Sequence, residues 1–107
     1  MKNEYAYHTQ YLDFNKTINA GAYTSGAVSL SELDVPVNSI VVFGMMHPTK
    51  LESNIQQGLF LSYTTKIGKI TSSSEAVISF TIFNSTSTQR TESYRAYVMY
   101  RLNPYSE

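Results

Sequence analysis

The sequence predicts an all-β protein: a single β-sandwich or jelly-roll-like domain of about six to eight antiparallel strands, spanning residues 1–107. Three observations lead there. Apolar residues recur with a period of two in several segments, the period at which strand side chains switch faces. Turn-forming residues punctuate those segments at short intervals. No stretch carries the 3.6-residue apolar period over three or more helical turns.

The alternation is clearest in residues 76–103. Ile78, Phe80 and Ile82 share one face, with Ser79 and Thr81 on the other. A polar run over 84–92 follows. Beyond it Tyr94, Ala96, Val98, Tyr100 and Leu102 share a face, opposite Arg95, Tyr97, Met99 and Arg101. The expectation is a long antiparallel pair joined by an extended loop, with one face for a core.

In residues 4–18, Tyr5, Tyr7, Thr9 and Tyr11 alternate with polar neighbours, and the apolar phase then moves by one to Leu12, Phe14 and Ile18. Two readings stay open. A bulge would flip every later side chain, or residues 1–11 form an extended arm ordered by a partner. Residues 19–26 contain Gly21 and Gly26 and read as a turn-rich connection. A short strand is expected within 27–33, one helical turn at 31–34, and a stop at Pro36. The continuous apolar run 40–43 suits a strand covered on both faces or crossing between sheets. Residues 47–54 read as a polar loop. In 55–67, Leu59, Leu61 and Tyr63 lie on one side and Phe60 on the other. Gly68 permits a turn, a serine cluster leads into the strand at 76, and 104–107 reads as a short tail.

Composition narrows the function. At 107 residues the chain can bury one core without staples. It has no cysteine, which removes disulfides and thiolate metal sites. Eight basic and eight acidic residues cancel, against nucleic acid held by phosphate neutralisation. No apolar run reaches the roughly 18 residues of a membrane span, and the opening residues lack the apolar stretch of a secretion signal.

Chemistry is sparse. His8 and His47 stand in no metal-ligand spacing. Glu32 and Asp34 are close in sequence, but a lone Glu-x-Asp suits a helix cap or turn better than calcium. No serine occupies a Gly-x-Ser-x-Gly elbow, and Gly58 and Gly68 form no phosphate loop. Asn15-Lys-Thr17 and Asn84-Ser-Thr86 match the glycosylation pattern by chance in a Ser/Thr-rich chain. No catalytic residue, cofactor or metal is expected, and the protein reads as a non-enzyme.

Nine tyrosines are the informative class. Tyr97 between Arg95 and Arg101, with Met99, makes a stripe of the residue types enriched at protein interfaces. Tyr5, Tyr7 and Tyr11 are the candidates in the arm. Packing under a second sheet and stacking on sugar rings are the other two readings of the stripe.

A strand ending in Phe-Asn-Ser-Thr-Ser, then a hydroxyl-rich loop, then Tyr-Arg-Ala-Tyr-Val-Met-Tyr-Arg resembles small β-sandwich domains of bacteriophage virion proteins. Such domains occur in head decoration, head fibre and baseplate or tail-tip proteins. The resemblance covers residues 76–103, is one of texture, and carries over no functional residue. It implies a structural protein, assembled into the virion in the host cytoplasm, that contacts copies of itself and other virion proteins. The N-terminal segment would then add a strand to a neighbour's sheet. Phage fibres often carry a coiled-coil or collagen-like shaft, which this chain lacks, so a decoration or minor structural role fits better. The alternative is a lectin-like host-attachment module for a cell-surface glycan, with loops 84–92 and 19–26 beside an aromatic.

Overall fold

Seven strands make up the described residues, 6–50 and 58–103, of a computed structural model. They are β1 (Tyr7–Ile18), β2 (Tyr23–Ser29), β3 (Ile40–Pro48), β4 (Leu59–Thr65), β5 (Gly68–Lys69), β6 (Ala76–Asn84) and β7 (Arg90–Arg101). A four-stranded sheet in the order β1-β7-β3-β5 packs on a three-stranded sheet in the order β2-β6-β4, and every pairing is antiparallel. This is the small all-β sandwich the alternation predicts. Tyr5, the expected loop and strand residues 51–57, and the 104–107 tail lie outside the described residues.

Each sheet has one apolar face, and the two apolar faces meet. β7 contributes Tyr94, Ala96, Val98 and Tyr100, β6 contributes Ile78, Phe80 and Ile82, and all are buried. Leu12, Phe14, Leu59 and Leu61 pack around them. Phe14 lies 5.4 Å from Phe80 between ring centroids, so the two sheets are stapled by aromatic contact. Gly26 on β2 sits opposite Phe80, where a Cβ would come within 2.7 Å of the ring. The missing side chain is what admits that ring.

Three expectations are corrected. β6 and β7 do not pair with each other. They are the central strands of different sheets, and residues 85–89 carry the chain across. Both strands present an apolar face to the same core from opposite sides, which alternation alone cannot distinguish from one paired sheet. At this crossing Asn84 is fully buried. Its Nδ2 donates to Ile18 O (3.0 Å) and Thr88 O (2.8 Å), and its Oδ1 accepts from Thr86 N (2.9 Å) and Thr86 Oγ1 (2.6 Å).

Second, β1 has no bulge. Its register with β7 runs unbroken from Tyr7↔Arg101 to Ile18↔Arg90. His8, Gln10, Leu12, Phe14, Lys16 and Ile18 face inward, while Tyr7, Thr9 and Tyr11 face out. The apparent phase slip arose from counting exposed tyrosines as core. Residues Tyr7–Tyr11 of the proposed arm thus belong to the protein's own sheet. Third, β3 neither crosses between sheets nor is covered on both faces. Its register with β7 shifts between Val41 and Phe43, and this bulge compresses two faces into one apolar run.

The expected helical turn is present. Ser29 N donates to Glu32 Oε1 (2.8 Å) and Glu32 N donates to Ser29 Oγ (3.3 Å), a reciprocal capping box. Asp34 closes the turn at φ 58°, and Leu30, Leu33 and Val35 enter the core from this segment.

Candidate functional site

The outer face of the four-stranded sheet is built from odd-numbered residues of β1 and β7. Cross-strand register sets them in rows: Tyr7 beside Arg101, Thr9 beside Met99, Tyr11 beside Tyr97, Asp13 beside Arg95. Past the bulge, β3 continues three of these rows with Phe43, Met45 and His47. Directly opposed residues in an antiparallel pair share a face at Cβ separations of about 5 Å, so these side chains form one continuous surface. Tyr7 is 62% exposed, Tyr11 54% and Phe43 45%.

Arginines order this surface. Arg95 grips Asp13 with two donors, Nε to Oδ1 at 2.7 Å and NH2 to Oδ2 at 3.0 Å. Its guanidinium also lies 3.9 Å from the centre of the Tyr11 ring. The hydrogen bonds from Arg95 hold the Asp13 carboxyl below its ordinary pKa of 3.8, and the same bonds raise the arginine. Arg101 stands 6.0 Å from the Tyr7 ring centre. Arg95, fixed by Asp13 and Tyr11, and Arg101 at the far row thus frame a centre of Tyr97, Met99, Phe43 and Met45.

Of the sequence candidates, the fold brings Tyr7, Tyr11, Arg95, Tyr97, Met99 and Arg101 together; Tyr5 lies outside the described residues. Sequence reading missed Phe43, Met45 and His47 because the bulge concealed their phase. The alternation Phe43-x-Met45-x-His47, counted backward from the loop, would have revealed it.

The histidines do not converge. His8 points inward and stacks on Tyr100 at 5.5 Å, while His47 shares the outer row of Arg95 and bonds through Nδ1 to Pro48 O (2.7 Å). Among the described residues no group of three or more His, Cys, Asp or Glu could hold a metal, and no helix is long and apolar enough to cross a membrane. Asn84 spends its amide on the crossing, which removes the second glycosylation triplet from the folded protein's surface.

The outer face of the three-stranded sheet differs in chemistry. Its first row is Tyr23–Phe83–Phe60, its second Ser25–Thr81–Ser62, its third Ala27–Ser79–Thr64. The turn 19–22 and the crossing 85–89 meet at the aromatic end, where Gln89 Nε2 donates to Asn19 Oδ1 at 2.7 Å.

The fold and faces define a small antiparallel β-sandwich with two chemically distinct outer surfaces. No protein-family model, no curated protein and no solved structure shows a significant match to the chain.

Proposed function

We propose that the protein is a non-enzymatic structural component of a bacteriophage particle, of decoration, minor capsid or fibre/baseplate type. In this reading it acts through contacts with copies of itself and with other virion proteins. The single observation that carries the contact role is the outer face of the four-stranded sheet, where Tyr11, Arg95, Tyr97, Met99 and Phe43 are co-facial beside Arg101. Tyr, Met, Phe and Arg are enriched at interface cores, and Arg95 is already ordered by Asp13 and the Tyr11 ring, which lowers the entropy lost on docking. What supports the virion assignment is the resemblance of residues 76–103 to phage sandwich domains.

Light scattering over a hundredfold concentration range tests the reading. The wild type is expected as a defined oligomer, and Tyr97→Glu, an outward-facing change that spares the core, as a monomer. A wild type that stays monomeric throughout, and that binds no other protein of the particle, removes the proposal.

A second reading, a host-attachment module for a cell-surface glycan, is favoured by one observation. The shorter connections 19–22 and 85–89, parts of the loops expected to frame such a site, touch through Gln89 and Asn19 near the Tyr23 and Phe83 pair.

A further inference from the structure

We propose that the outer face of the three-stranded sheet is a groove for an uncharged oligosaccharide, seated on the hydroxyls of Ser25, Ser62, Thr64, Ser79 and Thr81 and bounded at one end by the Tyr23–Phe83–Phe60 row. This site gives the host-attachment reading its ligand class and place, and it is independent of the assembly face on the opposite side of the molecule.

The groove follows from side-chain size. Central strand β6 presents Phe83 at one end of this face but only Thr81 and Ser79 beyond it, and β2 flanks them with the small side chains of Ser25 and Ala27. The surface therefore falls away from the aromatic row into a depression of about 370 Å³, lined by Ser25, Ser62, Thr64, Ser79 and Thr81 and, in the row between them, by Gly26, Tyr63 and Phe80. That volume lies within the range of ligand clefts. Three rows at two residues per step give a length of about 14 Å, room for an oligosaccharide rather than a single sugar.

Chemistry then selects the occupant. No lysine, arginine, aspartate or glutamate lines the depression, so nothing there recompenses a charged ligand for lost hydration. Five hydroxyls, each a donor and an acceptor, match a ligand that is itself dense in hydroxyls. Ser25 and Thr81 are joined oxygen to oxygen at 2.9 Å, which fixes their rotors and leaves lone pairs outward. A protein partner is the poorer fit, since serine and threonine are under-represented among interface hot spots.

The aromatic row supplies the apolar half of sugar recognition. Tyr23 and Phe83 lie 4.6 Å apart with planes at 32°, and Phe60 and Phe83 lie 6.3 Å apart at 28°. The three rings lean on one another across the strands, so the outer ring at each edge keeps a face open. Tyr23 is 70% and Phe60 62% exposed. Such faces take the C–H side of a pyranose, while the hydroxyl rows take its equatorial oxygens.

The test uses the full-length ¹⁵N-labelled protein with cellohexaose, maltohexaose, chitohexaose and mannohexaose at millimolar concentration, and a heparin-derived hexasaccharide as the charged control. One neutral hexasaccharide is expected to shift amides within 23–27, 60–65 and 79–83 and to leave the outer rows of β1, β7 and β3 unmoved. The double variant Ser79→Ala/Thr81→Val and the single variant Tyr23→Ala should each weaken it at least tenfold. These positions are solvent-facing and valine is a strong strand former, so the fold survives, as an unchanged far-ultraviolet spectrum would verify. Retention of the shifts in Tyr97→Glu separates this site from the assembly face. The proposal is overturned if no neutral hexasaccharide shifts the named amides, if the shifts fall on the four-stranded sheet, if the heparin fragment binds more tightly, or if the double variant binds like the wild type.

Discussion

Replacing Asn84 by alanine removes four hydrogen bonds at the point where the chain passes from one sheet to the other. A neutral hydrogen bond contributes about 1 kcal/mol net, and a buried group left without a partner costs about 1–3 kcal/mol. Ile18 is buried, so its carbonyl loses its partner outright; Thr86 and Thr88 lie near solvent and regain water. The expected loss is therefore about 2–4 kcal/mol, a large part of the 5–15 kcal/mol of a typical domain, with a fall in melting temperature of at least about 10 °C.

Asn84→Asp sharpens the test. The carboxylate still accepts from Thr86 but now faces the Ile18 and Thr88 carbonyls with an oxygen and no donor. Its charge is disfavoured in the fold, which raises its pKa above the unfolded value. Stability relative to the wild type is thus greatest at low pH and is lost as pH rises through the raised folded pKa. Urea unfolding of both variants between pH 4 and 8, followed by circular dichroism, measures this. A loss under about 1 kcal/mol for alanine, or an aspartate variant whose deficit does not grow with pH, would refute the account of the crossing.

Further outcomes follow from the same geometry. Gly26→Ala drives a Cβ to 2.7 Å from the buried Phe80 ring and should cost about 1–3 kcal/mol; denaturant unfolding at wild-type stability would contradict it. Burial first, and the Glu92 charge second, push the Tyr94 hydroxyl up to about 12. The neutral form is the folded one, so its contribution is complete below pH 10 and declines as pH rises toward 12, by up to about 1.4 kcal/mol per pH unit. Ultraviolet titration should show one tyrosine ionising last, together with unfolding, and Tyr94→Phe should remove that step. Asp13 titrates below 3.8 because Arg95 holds it, so its ion pair persists above that value and is lost only as pH falls through the depressed pKa. Arg95→Gln should return the Asp13 carboxyl resonance to an ordinary midpoint, and an ordinary midpoint in the wild type would contradict the pairing.

Much of the local structure was legible from the chain. The alternation of Ile78, Phe80 and Ile82 and of Tyr94 through Tyr100 named core residues that the sandwich does bury, and the capped turn at Glu32 followed from its residue types. The outward set Arg95, Tyr97, Met99 and Arg101 was equally plain, because facing is a property of the strand itself. Its extension by Phe43 and Met45 was not, since a bulge erases the phase on which such reading depends.

Which strand pairs with which lay beyond the sequence. Residues 76–84 and 90–101 read as one hairpin, yet five residues carry the chain to the opposite sheet. Period two records which side of a strand is buried, and it is indifferent to the neighbour lying in the hydrogen-bonding direction. That choice is made by long-range contact, where Phe80 meets Phe14 through the space left by Gly26 and Asn84 satisfies a carbonyl 66 residues away. The chain by itself determined strands, faces and an all-β core; the tertiary structure alone decided the two sheets, and with them the two outer surfaces, because pairing energy depends on partners distant in sequence.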